Sequence, residues 1–87
     1  MSQSIEKLAE LTLRSIASMT NLKPSGVVGI KKGEEGWIVR IELIEKISIP
    51  PSMDILGLYE VIVDEDGNIL GFERKKLRHR TDIQEEE

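Results

Sequence analysis

The chain has 87 residues, with 12 Lys and Arg against 16 Asp and Glu and a formal net charge of −4. That length is room for one domain, and a domain so small buries only about 60% of its unfolded surface. It has no cysteine, so disulfides and thiolate metal sites are excluded, and with 3% aromatic residues its core must be aliphatic.

The acidic balance gives no general attraction for nucleic acid. No segment approaches the roughly 18 apolar residues of a membrane span. Glu6 and Glu10 interrupt the place where a signal peptide would need an apolar stretch, so a cytoplasmic location is expected.

Residues 2–21 have the period of an amphipathic helix. At about 100° per residue, Ile5, Leu8, Ala9, Thr12, Leu13, Ile16 and Met19 share one arc. Glu6, Lys7, Glu10, Arg14 and Ser18 fill the other side, and Leu11 falls outside the apolar arc. Ser2 or Ser4 can cap the start, while Asn21 and Pro24 end the helix.

From Pro24 the period changes to 2. Val28 and Ile30 alternate with Gly29 and Lys31 in a first strand, and Gly33 to Gly36 form a turn. In 37–45, Trp37, Val39, Ile41 and Leu43 face one way, and Ile38, Arg40, Glu42 and Ile44 the other. Trp37 is expected as a core anchor near Tyr59 or Phe72, or else as a contact residue.

Residues 46–56 hold Pro50 and Pro51, which suit an extended connection outside the sheet. Asp54 is expected there as a local cap or turn former, or as a partner contact. A third strand follows over about 57–64 with Tyr59, Val61 and Val63 on one face. A fourth runs from about Ile69 to Lys75 with Leu70 and Phe72 inward.

The order α-β-β-β-β pairs one apolar helix face with one apolar sheet face. The expected fold is therefore α+β, an N-terminal amphipathic helix packed on a four-stranded antiparallel sheet as a two-layer sandwich. Residues 1–80 are expected to form a single domain, and 81–87 an acidic, disordered tail.

Chemistry for catalysis is missing from the sequence. There is no cysteine nucleophile, one histidine (His79), and no Gly-rich phosphate loop, HExxH or G-x-S-x-G motif. No enzyme activity, cofactor or metal is expected. Asp64, Asp66 and Asn68 alternate like the start of a calcium loop, but Lys75 stands where that loop needs a glutamate, so a hairpin turn is expected. Glu42 and Glu60 lie between apolar neighbours and are expected on the solvent face or in ion pairs.

The unusual segment is Arg74-Lys75-Lys76-Leu77-Arg78-His79-Arg80, with five formal positive charges, followed by the carboxylates of Asp82, Glu85, Glu86 and Glu87. Three readings stand: a solvated strand end balanced by the tail, a docking site for an acidic protein surface, and a nucleic-acid contact. The last lacks interleaved aromatic residues for stacking. Arg74 is expected at a strand end, with Arg78 and Arg80 free for docking. Ile38 and Ile44 on the outer sheet face mark a second contact candidate, and a homodimer is an open alternative.

An ordered set of motifs carries a family likeness. Gly36-Trp37-Ile38-Val39 is followed by Glu42 and Glu45, Ile49-Pro50, Asp54-Ile55-Leu56, Tyr59-Glu60-Val61, Asp64, Gly67 and the basic ending from Arg74. Over about residues 24–80 this resembles the gas vesicle protein O family. The resemblance implies a small cytoplasmic accessory protein of gas vesicle formation, acting through contacts with other gas vesicle proteins. A regulator linked to nucleic acid through Arg74–Arg80 is the alternative it leaves.

Overall fold

The apolar period of the N-terminal segment sets the first element of the computed structural model, which describes residues 4–80. Helix α1 spans Ile5–Thr20. The Ser4 hydroxyl accepts a hydrogen bond from the Lys7 backbone N–H at 3.1 Å, satisfying one of the donors a helix start leaves open. Asn21 adopts the left-handed conformation at φ 60°, and Leu22 N–H donates to Ala17 O, so the chain turns sharply out of the helix.

Four strands follow: β1 (Lys23–Lys32), β2 (Gly36–Lys46), β3 (Ile55–Asp64) and β4 (Ile69–His79). They lie in chain order, each antiparallel to its neighbour, which is the open meander that short turns allow. The Gly36 backbone runs so close to β3 that an added Cβ would collide with Val63 O and the Asp64 backbone. At the β3–β4 turn the Asp64 carboxylate accepts the backbone N–H groups of Asp66 and Asn68, both at 2.9 Å, and Gly67 supplies φ 93°. These amides, Asn68 first, hold the Asp64 carboxyl below the usual carboxylate range.

One helix against one sheet face gives the α+β two-layer arrangement. Ala9, Leu13, Ile16 and Ala17 of α1 meet Val39, Ile41 and Leu43 of β2 and Tyr59, Val61 and Val63 of β3 in a single core. Ile5 and Met19 belong to the same arc by period, yet they are 46% and 61% exposed. Ile5 is the first residue of α1 and Met19 lies in its last turn, so both exposures fall at the helix ends.

Several expected details are corrected by bulges, which shift the two-residue alternation by one. An irregularity between Val27 and Gly29 turns Val28 away from the helix, while Val27 and Ile30 pair with the core residues Ile41 and Val39. A shift between Ile62 and Val63 leaves Ile69 inward and Leu70 outward. Strand β4 runs to His79, so all of the basic segment but Arg80 is sheet, not a trailing strand end. The β2–β3 connection is not extended throughout: Pro51–Met53 form one 3₁₀ turn after a cis Ile49–Pro50 peptide.

Trp37 is half-buried at the β1–β2 turn end, opposite Val63 and Lys32, with Lys32 Nζ 4.8 Å from its ring centre. Its expected neighbours pack on each other further along the sheet: the Tyr59 and Phe72 rings are 6.3 Å apart. The acidic tail at 81–87 lies outside the described residues.

Candidate functional site

Side chains alternate across a strand, so every residue pointing away from α1 joins one outer face. Cross-strand partners share a face, and the register lays this one out in rows. Lys31, Ile38, Ile62 and Gly71 form one row, and Gly29, Arg40, Glu60 and Glu73 the next. Gly26, Glu42, Leu58 and Lys76 follow, then Lys23, Ile44, Leu56 and Arg78.

Opposite charges meet across these rows. Arg40 Nε lies 3.2 Å from Glu60 Oε2. Lys75, displaced by a bulge in β4, reaches Glu60 at 3.8 Å and Glu73 at 3.2 Å. Arg78 spans β3 to hold Glu42 with two bonds, Nε to Oε2 at 2.9 Å and Nη2 to Oε1 at 3.0 Å. A shallow groove of about 310 Å³ runs between Val28, Arg40, Glu42, Leu58, Lys76 and Arg78. A second hollow of about 620 Å³ opens where Ile38 and Ile62 meet the β1–β2 turn.

The expected contact residues divide among three places. Lys75, Lys76, Arg78, Ile38 and Ile44 share the outer face. Ile38 and Ile44 are half-buried there, Ile38 being screened by the turn at Gly33.

Arg74 lies on the inner face, opposite Tyr59, with Nη1 3.7 Å from Glu45 Oε1. Tyr59 OH donates a short hydrogen bond to Glu45 Oε2. Burial first, and then the Glu45 carboxylate, push the Tyr59 phenol up to about 12.

Arg80 and Asp54 meet at the sheet end. Arg80 N–H donates to Asp54 O at 2.8 Å, and Arg80 Nη2 to Asp54 Oδ2 at 3.1 Å. Asp54 Oδ1 also accepts Ser48 N–H at 2.8 Å. That backbone bond, then Arg80, hold the Asp54 carboxyl below its usual value against the opposing effect of burial. The expectation that Arg78 and Arg80 stand free is therefore corrected: each is engaged by a carboxylate distant in sequence.

Among the described residues no cluster of His, Asp and Glu has a metal-binding arrangement, and no helix is long and apolar enough to cross a membrane.

The model of the family described as gas vesicle synthesis protein GvpO matches residues 1–84. The chain belongs to the GvpO family. Gas vesicle protein O1 of Halobacterium salinarum is 33% identical over 61 residues, covering 70% of this chain and 51% of that protein. Gas vesicle protein O of Haloferax mediterranei is 34% identical over 62 residues, 70% of this chain and 44% of its own length. The Streptomyces sp. (strain CB03234) gas vesicle protein O is 29% identical over 65 residues, 75% of this chain and 51% of that protein. The chain thus spans about half the length of the curated relatives it matches. No solved structure matches it.

In this GvpO family chain the sequence pattern led to Ile38, Ile44 and the basic segment but missed Val28 and Leu58, and it brought in Glu45 only as part of the family motif, without its bond to Tyr59. The parity of β3 places Leu58 with Glu60 on the outer face, and that signal was legible. Val28 and Glu45 sit at strand irregularities, where alternation fails.

Proposed function

We propose that this protein is an accessory factor of gas vesicle formation that acts through contacts with other gas vesicle proteins. The observation that carries this reading is the family match over residues 1–84. The relatives' names support the process, and the outer sheet face, with its two hollows and half-buried isoleucines, supports action by contact.

The nucleic-acid alternative is disfavoured by geometry. Glu42, Glu60 and Glu73 stand among the basic side chains and would meet phosphates of the same sign. Duplex or single strands that bound at low salt and were released as salt rises would restore that alternative.

The decisive test is deletion of the gene in a host that floats by its vesicles. Loss or malformation of vesicles, restored by the gene in trans, is expected. A normal vesicle yield would sink the accessory function.

A further inference from the structure

The outer face differs in charge from the protein that carries it. Its strand carboxylates are Glu42, Glu60 and Glu73, and Glu34 and Glu35 stand at the rim of the hollow by the β1–β2 turn. Arg40, Lys75, Lys76 and Arg78 stand among them, and Lys23 and Lys31 add two more cations from β1. Along the strands six cations against three carboxylates leave an excess of three positive charges, in a chain whose total is −4.

A second observation is independent of charge. Gly26, Gly29 and Gly71 occupy outer-face positions on the two edge strands, opposite Glu42, Arg40 and Ile62. A Cβ at any of them would meet nothing within 4 Å, and none has a positive φ. Each adjoins a register shift, where glycine is common, but neither crowding nor a positive φ within the domain demands it, and glycine weakens a strand. A glycine so placed suits the close approach of another backbone.

We propose that the outer face docks an acidic segment of another protein, one whose carboxylates are interspersed with apolar side chains. This rests on the contact function proposed above and names its surface and the chemistry of its partner. The partner's carboxylates meet Lys76 and Lys31, and its apolar side chains settle over Val28 and Leu58. The bare strands at Gly26 and Gly29 let its backbone come close. A second copy is the wrong occupant, because two faces of the same sign would repel. Nucleic acid is disfavoured by the three carboxylates in the middle of the face.

The test places a photoreactive side chain at Val28 of the full chain, and separately at Arg14 on the exposed side of α1, in a host forming gas vesicles. Cross-linked peptides are identified by mass spectrometry. Val28 is expected to capture a peptide in which Asp and Glu outnumber Lys and Arg, and Arg14 is not. Gly26→Val and Lys76→Glu, each added to the Val28 probe, are expected to reduce that yield at least about tenfold, roughly the effect of 1.4 kcal/mol. Gly26→Val should do so without lowering the melting temperature, which separates lost docking from lost folding. Capture of a second copy or of nucleic acid from Val28, or no capture there, overturns the docking surface. Capture of gas vesicle proteins from Arg14 alone overturns the surface and leaves the contact function standing. A deletion strain with normal vesicles sinks both.

Discussion

Arg78 and Glu42 are 36 residues apart in sequence and form a two-bond ion pair that crosses β3, joining β4 to β2. Their side chains are only 23% and 15% exposed, so the pair is partly withdrawn from water and less screened than a surface contact. Arg78→Ala should destabilise the domain by about 1.5–3 kcal/mol, the range for hydrogen bonds to charged groups. Urea denaturation of Arg78→Ala, Glu42→Ala and the double variant checks this. Single costs that simply add would show the pair to be energetically idle. Arg78→Glu should cost more, because it sets two carboxylates together.

Asp54 couples stability to acid. Its native carboxyl is held below the ordinary value by the Ser48 N–H and Arg80, so the native state binds its proton less readily than the unfolded state. The contribution is fully present above the unfolded value and lost as pH falls through the lowered native one. Asp64, also held below its usual value, acts in the same direction. Denaturation midpoints measured from neutral pH to about pH 3 should fall more steeply for the native chain than for Asp54→Asn, with the gap set by Asp54 alone.

Tyr59 works at the other end of the scale. Its phenol is raised to about 12 from an ordinary 10.0, so the unfolded state loses its proton first as pH rises. Stability from this group is therefore complete below pH 10 and lost as pH rises towards 12. Tyr59 is the single tyrosine, so its ultraviolet titration is read without overlap from others. Glu45→Gln should move the titration back towards 10, though burial will keep part of the shift. An unchanged titration in that variant would show that Glu45 contributes nothing to it.

Core truncations should rank by enclosure, not by side-chain size. Ile16 is fully buried beneath the helix, and Ile16→Ala should cost about 2–5 kcal/mol. Trp37 is larger but half-buried at a sheet end, so Trp37→Ala should fall near or below the bottom of the roughly 3–5 kcal/mol range for enclosed aromatics. Thermal melts of the two variants decide this. A greater loss from Trp37→Ala would place the centre of stability at the β1–β2 turn.

The sequence by itself determined the elements and their pairing of faces. The 3.6-residue period in α1 and the two-residue period at Trp37–Leu43 leave one apolar stripe and one apolar sheet face, and these can only cover each other. It also narrowed the helix cap to Ser2 or Ser4 and placed Asn21 and the Asp64 turn, because caps and turns depend on residues within about four positions. The tertiary structure alone decided which basic side chains are engaged. Arg78 with Glu42 and Arg80 with Asp54 are pairs 36 and 26 residues apart, set by register across three strands. Register in turn depends on bulges at Val28, Leu70 and Lys75. A single inserted residue reverses the face of every later side chain in its strand, and composition carries no local mark of where the insertion falls.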